Sequence, residues 1–394
     1  MMRSIFFTIA FFLTLTQAQA QNDCLQGFYA YIYYNQLDSA LSIIEKCDFG
    51  DIEEANYQKG IVYFKQNDYN QALIHFNTAN SYKDSKLYLS KIYALMGDSP
   101  QACKFLETYL KQENKLSKQI IISDTCFLSI QSSNEWKMVW KNDWYSKEEV
   151  LFWSLESKLE LGNELEVLIT IENIEASSSA SAQIYYLKAL TYRKMLSYSN
   201  AIKALEKAIE LSANLLYFEL LGDLYAQTNN FNKATTAYSK LLSSETMHGH
   251  LKYGIANWKS KNYNISIEML KRYCNLYKYD YNAFSVLANI YFDDKQINNS
   301  LLAINKAIEI APRQVNNYLI RAKIFASSEY NLKFADIDLT TALDLSPAPE
   351  IYFQRGLVRI KLNNSIGTCS DMQKANSGGI SQAEYYLNKH CYQK

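Results

Sequence analysis

One pattern constrains this 394-residue chain more than any other. A small residue and a large aromatic one turn apart precede a polar break, then alanine, a large apolar residue and alanine again. Between Ala55 and Asn80, Gly60, Tyr63, Tyr69, Ala72, Phe76 and Ala79 fall at helical spacings around a break at Gln66-Asn67-Asp68. Such spacing predicts two amphipathic helices joined by a tight turn. Copies follow at Ala189, Tyr192, Tyr198, Ala201, Leu205 and Ala208, and at Leu221, Gly222, Tyr225, Phe231, Ala234 and Tyr238. Another has Leu287, Ala288, Tyr291, Ser300, Ile304, Ala307 and Pro312. The next has Ala322, Phe325, Ala335, Leu339, Ala342 and Pro347, with one extra residue in its turn. Weaker copies hold Gly254, Tyr263, Ser266 and Leu270, and Gly356, Thr368, Met372 and Ala375. Successive copies lie about 32 to 35 residues apart, the interval of helical repeat arrays.

The spacing is steric in origin. Gly222, Ala234, Ala288 and Ala307 let paired helices approach, while Tyr225, Tyr238 and Phe76 fill the space beside them. One such hairpin cannot bury its apolar face alone, so neighbours must stack. Only 12 glycines and 4 prolines interrupt the chain, and 48% of it is apolar, ample for a continuous all-α core.

These residues resemble the tetratricopeptide repeat family over most of the chain. Two divergent N-terminal copies join them, one with Tyr31, Ala40, Ile44 and Cys47, the other with Tyr93, Gly97, Ala102, Leu106 and Tyr109. The resemblance implies a right-handed superhelical solenoid of antiparallel helix pairs. First helices would line a concave groove holding a peptide or partner protein. Carried over residue by residue, groove positions are Tyr57, Ile61, Phe64, Lys65, Tyr186, Leu190, Arg193, Lys194, Trp258, Lys259, Asn289, Phe292 and Lys323. Aromatics interleaved with cations suit a peptide carrying apolar and acidic residues. The full lysine, asparagine and arginine set of the family's carboxylate clamp is not found.

Residues 1–20 read as a signal peptide cleaved after Ala20: Arg3, an apolar run from Ile5 to Leu15, then Ala18-Gln19-Ala20. The chain is expected outside the cytosol, in periplasm or medium, with no membrane span in the mature part. Repeats are expected over 21–115 and 181–378, a degenerate helical segment and linker over 116–180, and a capping helix over 379–394. Within the degenerate segment, Val150, Trp153, Leu155 and Leu159 and then Leu165, Leu168 and Ile171 are periodic, predicting a hairpin. Ser177-Ser178-Ser179 with Ser181 marks a soft boundary. Trp136, Trp140 and Trp144 would form one stripe on a helix, either an exposed docking site or the seam that packs the two repeat blocks together, a buried face being the commoner use of large aromatics.

The seven cysteines include three pairs of similar separation: Cys24 with Cys47, Cys103 with Cys126, and Cys369 with Cys391. In repeat geometry Cys24 starts one helix and Cys47 ends its partner. Cys103 and Cys369 lie early in a second helix, their partners midway along the following first helix. In an exported protein these are disulfide candidates, the alternative being thiols that serve as small core residues. Cys274 is left over. No CxxC occurs, and His248-Gly249-His250 reads as an exposed loop, so no metal or cofactor is expected. No catalytic motif appears, and Asp293-Asp294 reads as a solvated turn, so the chain is expected not to be an enzyme. Lys+Arg and Asp+Glu both count 40, with no basic excess for nucleic acid. The expected function is a protein-binding scaffold or adaptor of the cell envelope. The rival is a receptor that stacks sugars or peptidoglycan fragments on its 32 tyrosines.

Overall fold

The computed structural model describes residues 23–47, 51–113, 115–177, 180–244, 247–327 and 331–392. The leader expected at 1–20 lies outside them, as do Ser178, Ser179 and Glu245 of the polar breaks. The described residues form α-helices and short 3-10 turns with no strand, and consecutive helices pack in pairs. The fold is all-α and solenoid-like in its helix-pair order. Two compact units divide it. Of the described residues, the first holds those up to Thr228 together with those between Lys240 and Met247; the second holds Asn229–Ser239 and those from His248 onward. The soft boundary expected near Ser177 and Ser181 falls inside the first unit.

In the first unit, α1 (23–33) and α2 (Leu37–Lys46) pair, as do α3 (Ile52–Lys65) and α4 (Tyr69–Thr78). Then come α5 (Lys83–Leu95) with α6 (Ser99–Leu110), so both divergent N-terminal copies are helix pairs. Leu25, Phe28, Ala40, Ile44, Ile61 and Phe76 share one core. Gln26 is fully buried and donates from Nε2 to the Ser244 carbonyl (3.2 Å), tying the 3-10 turn over Lys240–Ser243 to this unit. Polar breaks cap the helices: Asp51, Asp68 and Asp98 accept from the amides of Glu53, Gln71 and Gln101.

The segment after α6 departs from the repeat. It folds as α7 (Lys118–Ser123), a 3-10 turn over Thr125–Ile130 and α8 (Asn134–Val139). The tryptophan stripe is corrected here: α8 stops at Val139, Trp140 caps it, and Trp144 lies beyond. The three still converge, because Trp144 folds back and donates from Nε1 to the Val139 carbonyl (2.6 Å). All three pack with Phe127, Ile130 and Leu106 in one apolar cluster drawn from residues 87–145, a core of the first unit. The predicted hairpin follows as α9 (Lys147–Glu160), opened by a Ser146–Glu149 capping box, and α10 (Glu164–Ser177). Leu155, Leu159, Leu168 and Ile171 are buried, whereas Val150 and Leu165 face solvent, against their periodic reading. The unit continues with α11 (Ala182–Lys194), α12 (Tyr198–Leu211) and α13 (Leu215–Gln227).

In the second unit, α14 (Phe231–Ser239) packs on α15 (His248–Lys259). The copy around Leu221–Tyr238 is therefore shared, α13 in one unit and α14 in the other. His248-Gly249-His250 is the first turn of α15, not an exposed loop, with Gly249 and His250 buried. Pairs follow: α15 with α16 (Tyr263–Leu276), α17 (Tyr281–Asp293) with α18 (Ile297–Ile310), α19 (Val315–Ala326) with α20 (Leu332–Leu345), and α21 (Pro349–Lys361) with α22 (Ser365–Ser377). The nine-residue α23 (Gln382–His390) closes it, burying Ala383 and Leu387.

The small residues sit where pairs cross. A Cβ on Gly254 would lie 2.2 Å from Leu270 Cδ2, and one on Gly356 would lie 2.7 Å from Met372 Cε. Where serine replaces alanine in the facing helix, its hydroxyl caps the partner's backbone: Ser266 donates to Gly254 O (2.8 Å) and Ser300 to Ala288 O (2.7 Å). Turns within pairs share one device, a single residue of positive φ, as at Asn67 (60°), Leu196 (59°), Lys261 (65°), Lys295 (63°) and Asn363 (56°). Arginines of first helices grip buried aspartates of second helices. Arg321 forks onto Asp338 (2.9 and 2.7 Å) and Arg355 onto Asp371 (2.9 and 2.7 Å). Arg359 bridges Asp336 (2.6 Å) and Asp371 (2.9 Å).

Candidate partner-binding groove

The small residues Gly254, Ala288, Ala322 and Gly356 stand at equivalent points of α15, α17, α19 and α21. Each faces its own second helix, so the residue after it and those one turn on are presented along the row of first helices. Those residues connect. Trp258 donates from Nε1 to Asp293 Oδ2 across α15 and α17 (2.8 Å), and Lys259 Nζ lies 4.1 Å from the Trp258 ring centroid. Asp293 is thus a partner of the groove aromatic and not only a solvated turn. Lys323 of α19 sits 4.9 Å over the Phe292 ring of α17. Asn289 turns inward, donating to its own helix at Ser285 O (3.0 Å).

Beyond Lys323 the row opens into a cavity of about 740 Å³ between α19, α21 and α23. Leu319, Ala326, Leu357 and Ile360 make it apolar; Asn316 and Gln354 add amides; Tyr386 contributes from α23. Lys323 and Lys361 are its cations. Neither has a carboxylate partner among the described residues, whereas the arginines of the same helices are paired: Arg321 with Asp338 and Arg359 with Asp336 and Asp371. An apolar pocket with two uncompensated ammonium groups can seat an apolar chain bearing a carboxylate.

The expected groove residues of the first unit fare differently. Ile61 is buried in the core, and Tyr57 and Phe64 pack against it, Tyr57 stacking on Tyr82 at 4.9 Å. Lys65 is exposed. Tyr186 stacks on Tyr217 at 5.0 Å, and Leu190 packs in the neighbouring cores. Burial raises the Tyr186 phenol pKa, and Arg193 beside it opposes that shift. Lys194 is a structural tie, bonding Glu164 (3.1 Å) and the Leu159 carbonyl. Burial, with Glu160 alongside, holds the Glu156 carboxyl above the usual carboxylate range. Leu357, Lys361 and Tyr386 were not among the expected residues, although Leu357 stands where Lys323 does in its copy and Lys361 where Lys259 does.

Two of the three cysteine pairs are disulfides. Cys24–Cys47 joins the start of α1 to the end of α2, and Cys369–Cys391 joins α22 to the cap of α23. Cys391 therefore ends a helix instead of lying midway along one. The third pair is corrected: Cys103 and Cys126 are both thiols. Cys103 faces inward from α6, near Glu107 and Glu135, while Cys126 is the second residue of the 3-10 turn and bonds its cap, Asp124. The repeat-breaking segment replaces the helix that would have carried Cys126 to its partner. Burial pushes both thiols up to about 11 and Cys274 to about 12. Among the described residues no cluster of three or more His, Cys, Asp or Glu could hold a metal, and no helix is long and apolar enough to cross a membrane.

A tetratricopeptide repeat model matches residues 53–86, 182–215 and 281–314. Among solved structures, the C-terminal part of a repeat-containing protein from Cytophaga hutchinsonii superposes with a TM-score of 0.51 at 16% identity, covering 60% of this chain and 99% of that one. YrrB, described as a repeat protein with an unusual peptide-binding site, aligns at 0.39 and 16% identity, over 48% of this chain and 99% of its own. MamA from Desulfovibrio magneticus aligns at 0.39 and 18% identity, over 42% and 94%. A search of curated proteins finds no match. With matched copies in both units and a succession of helix pairs built on their small and large residues, the chain carries tetratricopeptide repeats, at 53–86, 182–215 and 281–314.

Proposed function

We propose that this protein is a non-enzymatic scaffold or adaptor that binds a partner protein through the row of first helices in its second unit. The repeats support protein binding in general. The cavity beside Lys323 supports this particular groove, because it joins apolar walls to two lysines that the fold leaves without carboxylates. The occupant that suits it is a peptide segment with two or three apolar side chains and an acidic group. Trp258, Lys259 and Phe292 extend the same chemistry along the row.

Export to the periplasm or medium is part of the same proposal, with an envelope component as the partner. Its support is the leader-like composition of residues 1–20 and the presence of two disulfides, which persist in oxidising compartments.

Cross-linking in cells followed by capture and mass spectrometry, with wild type beside Lys323→Glu/Lys361→Glu, tests both parts. The double variant should lose the cross-linked partner and weaken binding of the purified segment roughly 10- to 100-fold, as expected for two reversed charges at an apolar site. Equal capture by both proteins would remove this groove. Capture of a cytosolic protein would remove the export proposal. Retention on a glycan array without any protein partner would favour the sugar-receptor rival.

A further inference from the structure

The helix that closes the second unit is also a wall of its cavity. Tyr386 of α23 lines that cavity, and its ring packs edge-on against Phe353 of α21 at 5.8 Å. Leu357 and Ile360 serve twice, lining the cavity and packing against the small core of Met372, Ala375, Ala383 and Leu387 that holds α23 in place. That core is slight. Only Ala383 and Leu387 of α23 are buried, and nine residues are too few for a helix to persist in water on its own propensity. The far end of α23 is held covalently, for Cys391 is its C-cap and is bonded to Cys369 of α22. Both cysteines are only partly buried. The other disulfide lies in the first unit, beside a broad core that includes Phe28, Ile44 and Phe76.

We infer that the Cys369–Cys391 disulfide is a redox latch on the partner groove: intact, it holds α23 as the end wall, and its reduction releases the helix and weakens binding. The inference rests on the groove proposed above. The reductant class is a dithiol. One of its thiolates attacks a sulfur of the bond, the other cysteine leaves as thiolate, and the second reductant thiol then displaces the first cysteine. Cystine gains two electrons and two protons, and the dithiol becomes a disulfide. With the bond open, α23 is held by side-chain packing alone, that of Ala383, Leu387 and the half-buried Tyr386, and its end is free to fray, so Tyr386 no longer has a fixed place.

The test uses the full chain in three forms: oxidised wild type, Cys369→Ser/Cys391→Ser, and Tyr386→Ala with the disulfide intact. The serine variant isolates this bond, since a reductant would also open Cys24–Cys47. Hydrogen exchange over 382–390 should run at least about tenfold faster in the serine variant, with α15 to α20 unchanged. Calorimetric titration with dodecanoate, an aliphatic carboxylate standing in for an apolar acidic segment, should show roughly five- to tenfold weaker binding in both variants, the loss expected for one aromatic wall. Unchanged exchange over 382–390 overturns the latch. Faster exchange with undiminished binding also overturns it and leaves the groove standing. No dodecanoate binding by the oxidised protein overturns the latch and removes support from the groove itself.

Discussion

Asp371 is a buried charge gripped by two arginines in the second unit, and replacing it by asparagine changes little but charge. Its side chain is 1% exposed, against 12% for Arg355 and 16% for Arg359. Three bonds converge on it, from Arg355 Nε (2.9 Å), Arg355 Nη2 (2.7 Å) and Arg359 Nη1 (2.9 Å). Asp371→Asn keeps one acceptor oxygen and points an amide at a guanidinium that has nothing to accept with. Hydrogen bonds to charged groups contribute about 1.5–3 kcal/mol each, and breaking a buried ion pair costs about 3–5 kcal/mol. Arg359 retains Asp336, so the lower end applies, about 3 kcal/mol. Repeat arrays need not unfold in one step, so the assay is urea denaturation paired with hydrogen exchange over 365–377. Exchange there should quicken by about a hundredfold. Arg355→Met with Asp371→Leu should regain more than half of the loss, since an apolar pair avoids the desolvation that the ion pair carries. A loss under about 1 kcal/mol from Asp371→Asn would show that these arginines are satisfied without it.

Further outcomes follow from the same geometry. Gly254→Ala should destabilise by about 1–2 kcal/mol in thermal melts, because its Cβ meets Leu270 with Met269 Cβ at 3.2 Å behind it; Gly356→Ala should cost less, since Met372 Cε can swing away. Burial lowers the pKa of His250, whose Nδ1 has no hydrogen-bond partner, so the folded state resists its protonation. Its contribution is therefore intact above the ordinary value of 6.5 and lost as pH falls below it, by up to about 1.4 kcal/mol per unit. Protection factors of the α15 amides, taken relative to the intrinsic exchange rate at each pH, should fall between pH 7 and 5, and His250→Gln should flatten that dependence; His75 acts in the same sense in the first unit. Thiol titration in denaturant should count three thiols without reductant and seven with it, and native Cys103, Cys126 and Cys274 should react slowly at pH 7.

What could be read before the structure followed from how local its cause was. Helix pairs were legible because small residues, aromatics and polar breaks repeat together; Gln66-Asn67-Asp68 predicts a turn and Asn67 supplies its positive φ. The stretch from Leu116 to Tyr145 was not, because short helices and a 3-10 turn carry too few residues to show a period. Its order comes from tertiary bonds such as Tyr145 Oη donating to Leu116 O (2.9 Å). Equal cysteine separations misled at Cys103 and Cys126 for the same reason: separation predicts contact only while the chain between keeps the repeat. In the groove, Lys323 was legible from its place in a clear copy. Lys361 stands at the place of Lys259 in the weakest copy, and Tyr386 belongs to a helix with no counterpart. Lys194 occupies a groove-like place, but its partner Glu164 comes from the preceding hairpin, which no within-repeat spacing reveals.

The joints described above are nearly interchangeable. Lys261 and Lys295 reverse the chain with φ within a few degrees of one another. Asp280 caps α17 through the Ala283 amide (3.1 Å), at the point where Gln314 precedes α19. Excising 281–314, the span of one matched copy, would bring Asp280 directly before Val315, in register to cap that helix instead. Such a chain can gain or shed whole modules without inventing a connector, so the length of its row of first helices is adjustable in steps of one hairpin.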